Sequence, residues 1–408
     1  MTSMEETVLV AGGGIGGLAC ALSIGVSGVP VTVLEQAGDF AEIGAGIQLG
    51  PNAMRVLSDW GLDVPLRSIA SYPDDLRVRD SRDGRELGHL RLGATALSRF
   101  GQPYACVHRA DFHQLLREAV RSRTPAKLRL QTTVKDFHVQ SHGVHVTLDD
   151  GQTLSGAALI GCDGLWSRVR DGLLGAARPQ FTGHLAYRGL VQADSVGLES
   201  RRNSVQLWLG ARMHVVAYPV RDGRWINLVA VVHDGLGEDP DSDRPRRWAR
   251  EARVEDLLVK TGPLAGHLRD LIDAVPVWTR WPLYDRRPLR GPSEHAIGPV
   301  ALLGDAAHPL RPHLAQGAAM AIEDAWAIGQ LIDRLAAPLD WAALFARYAA
   351  QRWERNARVQ RMSQRNGRLY HASGLCRLGR NVGLRLLGEQ VLVNRWLYGG
   401  PPEMHGRA

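Results

Sequence analysis

The pattern of apolar and polar positions in the first 35 residues predicts a strand, a helix and a second strand. Val8–Ala11 is a short continuous apolar run, which is typical of a buried strand. Apolar residues then recur from Ile15 to Val26 at spacings that place them on one face of a helix, which Gly28 can end. The run Val31–Glu35 predicts a second buried strand. The chain therefore opens with a βαβ unit.

Patterns further along the chain predict a strand-rich insertion and a helical C-terminal region. Polar alternation and Asp-Gly turn signals begin near residue 72, and strand-like segments also run from about 181 to 284. The segment 300–305 again looks like a buried strand, and the sequence after Asp340 has helical periodicity. We predict an α/β fold with three parts. They are a Rossmann-like nucleotide-binding domain (1–72, 98–180 and 285–335), an inserted β-sheet domain (73–97 and 181–284) and a helical C-terminus (336–408).

Composition and charge exclude several classes of protein. A chain of 408 residues that is 45% hydrophobic and 22% charged is neither disordered nor fibrous. The net charge of +7 raises the question of a nucleic-acid partner, but all except three of the 49 basic residues are arginines, mostly scattered among acids. We therefore predict no nucleic-acid partner. Six arginines between 352 and 368 recur at helical spacing, and we interpret this basic stripe as a solvated helix face.

Four cysteines without close or metal-type spacing form neither a disulfide framework nor a structural zinc site. We therefore predict a reducing compartment and no metal. The N-terminus has no secretory pattern, and no segment approaches the roughly 20 apolar residues of a membrane span. The expected location is the cytoplasm.

A glycine-rich turn joins the first strand to the first helix. Gly12, Gly14 and Gly17 form the pattern G-x-G-x-x-G, which permits a tight turn, close approach of a pyrophosphate and close helix packing, in that order. The helix N-terminus offers N–H groups to the phosphates. Glu35 ends the second strand, where a carboxylate can accept the ribose hydroxyl groups of an adenosine. The pattern predicts a dinucleotide site without distinguishing FAD from NAD.

Two later motifs make that distinction. Asp163-Gly164 follows a predicted strand in ALIGCDGLWSRVR, and Gly304-Asp305 follows another in VALLGDAAHPL. Each motif alone is also what an ordinary turn after a strand looks like. With the glycine-rich turn, in this order, they resemble the single-component FAD-dependent aromatic hydroxylases, the family of para-hydroxybenzoate and salicylate hydroxylases. The similarity extends from about Val8 to WLYGG at 396–400.

The resemblance implies which residues hold FAD, and it makes the inserted sheet a substrate-binding domain. The three glycines and Glu35 would hold the ADP half of FAD. Arg109 would contact the flavin side chain or phosphates, Asp305 the ribityl or phosphate region, and Asp163 both FAD and the nicotinamide cofactor. A helix beginning near Gly317 would aim its positive end at the reduced flavin. The complete predicted set is Gly12, Gly14, Gly17, Glu35, Arg109, Asp163, Asp305, Pro309, Gly317 and Ala318.

The resemblance also supplies a reaction. NAD(P)H reduces FAD, oxygen forms a flavin C4a-hydroperoxide, and an electron-rich ring attacks its distal oxygen. A base must deprotonate or polarise the substrate hydroxyl group. Strand alternation in MHVVAYPV places His214 and Tyr218 on one face, about 13 Å apart, so that they would bracket a ring. The alternative is a surface histidine beside a core tyrosine.

His313 and Gln316 are the other predicted catalytic residues, since they stand where substrate should meet flavin. A protonated His313 or the neighbouring Arg311 would neutralise a substrate carboxylate. His308 follows the Asp305 motif closely, and we interpret it as a packing or hydrogen-bonding residue.

Local motifs narrow the substrate to a hydroxylated aromatic monocarboxylate. The chain most resembles 3-hydroxybenzoate 6-hydroxylases, which form 2,5-dihydroxybenzoate (gentisate), in the segments EIGAGIQLGPNA (42–53), YRGLV (187–191) and AQGAAMAIEDA (315–325). It departs from them at Leu310-Arg311-Pro312-His313, which is closer to 6-hydroxynicotinate 3-monooxygenases. Gln48, in contrast, stands where the nicotinate enzymes tend to have histidine. 6-Hydroxynicotinate and salicylate therefore stay open as substrates.

Two alternatives come from other functional classes. A non-catalytic FAD-binding protein would consume no NADH when offered aromatic acids, and a flavoprotein oxidase or reductase would make hydrogen peroxide without a ring product. The sequence does not separate NADH from NADPH, although the resemblance leads us to expect NADH. A homodimer is the default expectation because two-fold homo-oligomers are common.

Overall fold

The computed structural model of the protein describes residues 6–39, 46–234, 250–335 and 338–401. Residues 42–45 of the segment EIGAGIQLGPNA lie outside this part of the chain. The strands are β1 (Val8–Ala11), β2 (Val31–Leu34), β3 (Gly46–Leu49), β4 (Ala70–Ser71), β5 (Asp75–Asp80), β6 (Glu86–Arg91), β7 (Ala105–His108), β8 (Lys127–Arg129), β9 (Val134–Gln140), β10 (Gly143–Leu148), β11 (Thr153–Gly156), β12 (Ala158–Gly161), β13 (Gln180–Gln192), β14 (Ser204–Leu209), β15 (Met213–Val220), β16 (Trp225–His233), β17 (Arg250–Ala252), β18 (Trp278–Asp285), β19 (Ala296–Ile297) and β20 (Val300–Leu302). The helices are α1 (Ile15–Gly25), α2 (Pro51–Asp59), α3 (Asp63–Arg67), α4 (Gly93–Phe100), α5 (Arg109–Arg123), α6 (Arg168–Leu174), α7 (Val254–Thr261), α8 (Gly266–Asp273), α9 (Pro292–His295), α10 (Gly317–Arg334), α11 (Trp341–Tyr370), α12 (Gly374–Leu387), α13 (Glu389–Leu392) and α14 (Arg395–Tyr398).

A six-stranded sheet carries the nucleotide-binding part of the fold. Its order is β19-β20-β12-β1-β2-β8, and all neighbours are parallel except β19 and β20. Every residue of β1, β2, β12 and β20 is buried, as a parallel sheet covered on both faces requires. Helix α1 packs against α5 and α10. The three predicted strands at residues 8, 31 and 300 thus lie in one sheet, with β1 at its centre.

A mixed eight-stranded sheet forms the second layer, in the order β17-β18-β13-β16-β15-β14-β5-β6. Only the pair β14 and β5 is parallel. Strands β5 and β6 come from the early polar segment, and the others from the later strand-rich segment, so both segments build one sheet. The predicted α/β fold with an inserted sheet and a helical C-terminus is confirmed, and the predicted domain limits stay a prediction.

Helix α11 corrects one interpretation of the sequence. The predicted solvated arginine stripe lies on this 30-residue helix, but Arg352 and Arg355 are only 2% and 6% exposed. Both pair with carboxylates of α10, namely Glu323 and Asp324. The solvated-face interpretation is therefore wrong for these two arginines, because periodicity cannot show that another helix with buried acids packs on the same side. The other four arginines of the stripe are exposed.

In the part of the chain that the structure describes, every helix is too short or too polar to cross a lipid bilayer.

Candidate functional site

The glycine-rich turn after β1 has the geometry that a phosphate site requires. Gly12 has φ +100°, which glycine adopts without strain, and a Cβ atom here would overlap the carbonyl group of Cys162. A Cβ atom on Gly17 would overlap the carbonyl group of Gly12, so α1 and β1 approach closely. A Cβ atom on Gly14 would meet nothing within 4 Å. The turn is therefore packed tightly at Gly12 and Gly17 and open at Gly14, which fits a pyrophosphate.

Glu35 is tied to the same turn. Its Oε2 accepts a hydrogen bond from the backbone N–H of Gly13 at 2.6 Å, and its Oε1 accepts one from Ala37 at 2.8 Å. These bonds hold the end of β2 against the turn. Carboxylate oxygens have further lone pairs, so Glu35 can also accept a ribose hydroxyl group. Its role in binding FAD stays a prediction.

Asp163, after β12, interacts with the N-terminus of helix α6. Its Oδ2 accepts hydrogen bonds from the backbone N–H groups of Arg168 at 2.8 Å and Val169 at 3.2 Å, and its Oδ1 accepts one from the Ser167 hydroxyl group. A negative charge at a helix N-terminus is also favourable in itself. Asp163 thus has a structural role that the motif did not reveal, and its contact with either cofactor stays a prediction.

Asp305 and Arg109 come from distant parts of the chain and interact electrostatically. Asp305 lies in a 3₁₀ turn directly after β20, and Arg109 is the first residue of α5. Desolvation by the surrounding protein raises the pKa of Asp305, and the charges of His308 and Arg109 partly offset this effect. Pro309, the next predicted FAD residue, is buried after His308. His308 itself lies 2.6 Å from Asp324, which agrees with its predicted hydrogen-bonding role.

Helix α10 begins at Gly317, and no side chain caps its N-terminus. Gln316 is the N-cap residue, and Ala315 before it has φ +51°, which is uncommon for alanine. A Cβ atom on Gly317 would meet nothing within 4 Å, and Ala318 is only partly buried. The first N–H groups of this 18-residue helix therefore remain available to an anionic group such as a reduced flavin ring.

A buried ionic network positions Gln316. The Glu323 carboxylate accepts hydrogen bonds from Arg355 at 2.6 and 2.7 Å and from the Asn52 amide at 2.7 Å, and Arg352 lies 2.9 Å from it. The same Asn52 amide donates to Gln316 Oε1 at 2.9 Å. Gln316 is 1% exposed, and its Nε2 has no partner among the described residues. The network thus fixes the amide oxygen of Gln316 and leaves its amide N–H groups for a ligand.

Three histidines lie together where the sequence predicts the substrate. His214 on β15 is 3% exposed, and its Nδ1 lies 2.8 Å from Nε2 of His371, the residue after α11. The ring centroids of His214 and His313 are 5.1 Å apart, and those of His313 and His371 are 5.7 Å apart. His184 on β13 extends the cluster, with its ring centroid 4.8 Å from that of His371. The predicted residues His214 and His313 are therefore neighbours.

The imidazoles of this cluster are neutral at neutral pH. Burial, together with the charges of His371, His313 and His184, lowers the pKa of His214 well below its usual value. Burial and the nearby Arg311 lower the pKa of His313 to about 3. This lowered pKa favours the neutral form of His313 in the ligand-free protein, and the predicted role of His313 toward a substrate carboxylate stays a prediction. Arg311 is also engaged, because its Nε donates to Asp285 at 2.8 Å.

Tyr218 lies on the same strand in a different environment. It is 3% exposed, and burial raises the pKa of its hydroxyl group, with a minor opposing contribution from the side chain of Gln48. The Tyr104 hydroxyl group donates to Gln48 Oε1 at 2.7 Å. Tyr218 therefore keeps its proton and can serve as a hydrogen-bond donor, and the predicted catalytic role of His214, at the other end of the strand, stays a prediction.

Sequence reasoning missed His371, His184 and Asn52. His371 is 157 positions away from its partner His214, and only the length and direction of α11 bring the two together. His184 faces the cluster because β13 lies beside β16, which lies beside β15. Asn52 belongs to the segment GPNA, which the family resemblance includes, so a signal existed for it without revealing its partner Glu323.

Comparison with known proteins gives a consistent result. A family described as FAD binding domain matches residues 5–366. The 3-hydroxybenzoate 6-hydroxylase of Polaromonas naphthalenivorans is 38% identical over 397 residues, which are 96% of this chain and 95% of that protein. The 6-hydroxynicotinate 3-monooxygenase of Bordetella bronchiseptica is 36% identical over 367 residues, which are 89% of this chain and 91% of that protein.

Two solved structures share the fold over nearly the whole chain. A salicylate hydroxylase substrate complex has a TM-score of 0.81 and 29% sequence identity, and the match covers 97% of this chain and 95% of that one. Klebsiella pneumoniae HpxO complexed with FAD and uric acid has a TM-score of 0.83 and 26% identity, with 97% of both chains covered.

Proposed function

The chain belongs to the FAD-dependent aromatic hydroxylases, a family of monooxygenases that use NAD(P)H as co-substrate. From this premise we propose that it hydroxylates a hydroxylated aromatic monocarboxylate, with 3-hydroxybenzoate converted to 2,5-dihydroxybenzoate. One substrate molecule, NADH, O₂ and a proton would give the diphenol, NAD⁺ and water. We also propose that the enzyme works in the cytoplasm.

The observation that carries this proposal is a buried neutral histidine beside groups that can orient it. We propose that His214 Nδ1–H donates to His371 Nε2 across the 2.8 Å between them. His214 Nε2 then keeps its lone pair and can accept the proton of a phenol. Because burial lowers the pKa of His214, Nε2 carries no proton at neutral pH. Loss of the phenol proton makes the ring more electron-rich, which hydroxylation requires.

The chain offers a separate set of residues to FAD. We propose that the open position at Gly14, the end of β2 at Glu35 and the pair Arg109 and Asp305 bind FAD, with its ring system at the start of α10. When bound, FAD takes electrons from NAD(P)H and activates oxygen. Pro309, Gly317 and Ala318 would leave room for the ring system, and the uncapped N–H groups of α10 would stabilise its negative charge.

The substrate carboxylate would bind through neutral donors. His313 is 6% exposed, neither of its nitrogens has a partner among the described residues, and Gln316 Nε2 is likewise unpartnered. An imidazole N–H and an amide N–H can both donate to a carboxylate. Their pairing with the substrate would remove the cost of leaving buried polar groups unsatisfied.

A second candidate substrate is 6-hydroxynicotinate. It is favoured by the sequence Arg311-Pro312-His313 and by the 36% identity to the Bordetella bronchiseptica enzyme. Gln48 argues against it, since its amide oxygen already accepts the Tyr104 hydroxyl group. A substrate with a ring nitrogen would have to compete with that bond.

The test is a substrate screen with the FAD-loaded protein. It would be given 3-hydroxybenzoate, 6-hydroxynicotinate and salicylate separately, while NADH loss, oxygen uptake and the ring product are measured together. We expect 3-hydroxybenzoate to give 2,5-dihydroxybenzoate in a one-to-one ratio with NADH. A ring product only from 6-hydroxynicotinate would replace our first choice by the second. Hydrogen peroxide equal to NADH with every acid would refute the hydroxylase proposal.

The variant His214→Ala tests the base. It should retain FAD and lower coupled hydroxylation on the order of 10²-fold, the usual scale for a lost general base. The control is His138→Ala, which removes an exposed imidazole on β9. Unchanged turnover in His214→Ala would remove His214 from the mechanism.

A further inference from the structure

The histidine cluster brings together nitrogen atoms from three separate parts of the fold. His214 comes from the second sheet, His313 from the 3₁₀ turn before α10, and His371 from the end of α11. One nitrogen of each ring can be chosen so that all three lie within 4.8 Å of one another. Three nitrogens around a tetrahedral ion at about 2.05 Å would be about 3.4 Å apart. Closing the cluster on one ion requires the rings to rotate by about an ångström or more and the hydrogen bond between His214 and His371 to be replaced by bonds to the ion.

The nitrogens in this cluster are short of partners. Among the described residues, neither nitrogen of His313 has a hydrogen-bond partner, and Nδ1 of His371 also has none. His313 is only 6% exposed. Buried polar atoms normally have partners, and those that lack one call for an explanation. A bound ion would give one nitrogen of each ring a partner.

The charge of one neighbouring cationic group is partly compensated. Arg311, two residues before His313 in the chain, pairs with Asp285 at 2.8 Å, so it opposes a bound cation less than an unpaired guanidinium group would. Metal ions bind imidazole in its neutral form.

We propose that His214, His313 and His371 form a transition-metal site that binds one divalent ion of the zinc class and leaves a fourth position open. Three imidazole ligands suit zinc, copper or nickel, whereas magnesium and calcium prefer oxygen ligands. The cysteine spacing that argued against a structural zinc site does not bear on this cluster, because it contains no cysteine.

Occupation of this site has a consequence for activity. The ion uses the lone pair that the proposed mechanism assigns to His214, so a metal-loaded enzyme cannot use that base. Metal binding and hydroxylation should therefore exclude each other. The binding itself does not depend on the proposed function, since it is measured without any aromatic acid.

The experiment is equilibrium dialysis of tag-free, FAD-loaded full-length protein against Zn²⁺ at pH 7.5, with metal counted by elemental analysis. We expect one tightly bound equivalent in the wild-type protein. His313→Gln and His371→Gln should each weaken its affinity by at least about tenfold, because each removes one of three ligands. X-ray absorption at the zinc edge should show nitrogen neighbours at about 2.0–2.1 Å.

Two controls keep the result interpretable. His138→Gln removes an exposed histidine and should leave zinc binding unchanged. Retained FAD and an unaltered circular dichroism spectrum show whether each variant is folded, and His371, at a helix end, is the less disruptive of the two changes. No bound equivalent in the wild-type protein, or equal affinity in wild type and His371→Gln, would overturn the metal site. Neither outcome would affect the hydroxylase proposal, which the product assay tests.

Discussion

Replacing the buried, charged side chain of Glu323 should lower the free energy of unfolding more than replacing an exposed charged side chain. Glu323 is 0% exposed, and its Oε2 lies 2.6 Å from Arg355 Nε and 2.9 Å from Arg352. In Glu323→Gln, an amide NH₂ group would face one set of these donors in place of an oxygen. Two charge-assisted hydrogen bonds are worth about 1.5–3 kcal/mol each, and one-sided loss of a buried ion pair typically costs about 3–5 kcal/mol. We therefore expect a loss of about 3–5 kcal/mol.

The assay is urea unfolding of the FAD-saturated protein, with stability differences taken from the transition midpoints. The matched control is Asp273→Asn, which breaks an exposed pair with Arg269 in which the two side chains are 44% and 50% exposed. That pair should be worth less than about 1 kcal/mol. A double-mutant cycle with Arg355→Met then isolates the pair, since residues in direct contact show coupling of roughly 0.5–3 kcal/mol.

The reasoning would be refuted by a small effect. If Glu323→Gln loses no more stability than Asp273→Asn, the network is not a set of mutually dependent buried charges. If the double variant loses the full sum of the single losses, Glu323 and Arg355 act independently despite their 2.6 Å contact.

Two further predictions use other parts of the site. Gly17→Ala should lower the free energy of unfolding of the FAD-free protein, because the added Cβ atom would overlap the Gly12 carbonyl group. Gly14→Ala should leave urea unfolding of the FAD-free protein unchanged, because its Cβ atom would meet no protein atom, but it should weaken FAD binding. Wild-type FAD affinity in Gly14→Ala would show that the pyrophosphate does not cross Gly14. Burial lowers the pKa of His295 to about 3, so the native state disfavours its protonation, and stability should fall as pH drops from about 6.5 toward about 3. The loss attributable to this side chain is about 2 kcal/mol at pH 5, and His295→Gln should remove that part of the pH dependence.

The FAD-binding part of the fold could be predicted because local sequence determines it. The glycine-rich turn, β1 and α1 are contiguous in the chain. The spacing of Gly12, Gly14 and Gly17 therefore predicts where the backbone packs closely and where a pyrophosphate can approach it. The geometry agrees at each of the three positions. Asp163 shows the limit of this reasoning, because a motif identifies a carboxylate after a strand but not the helix N-terminus with which it bonds.

The surroundings of the predicted catalytic residues could be predicted only in part, because their contacts join segments that are distant in the sequence. Strand periodicity correctly placed His214 and Tyr218 on one strand, yet the charge state of His313 depends on burial and on Arg311, which no local pattern reveals. The arginine stripe shows the same problem, since Arg352 and Arg355 look like surface residues until the acids of α10 are known to face them. Chemistry-bearing residues were easier to find than their partners.

Helix α11 explains why so much of the site depends on long-range packing. Near its middle, Arg355 binds the Glu323 carboxylate that also holds Asn52 and, through it, Gln316. Three turns later, a Cβ atom on Gly367 would lie 2.8 Å from Cε1 of His313. The absence of a side chain at Gly367 therefore leaves room for the imidazole ring of His313. The helix ends at Tyr370, and His371 follows it directly. Because a helix is a rigid element, the position of α11 against α10 sets the positions of Gln316, His313 and His371 together, and one charged network thereby stabilises the whole polar side of the site.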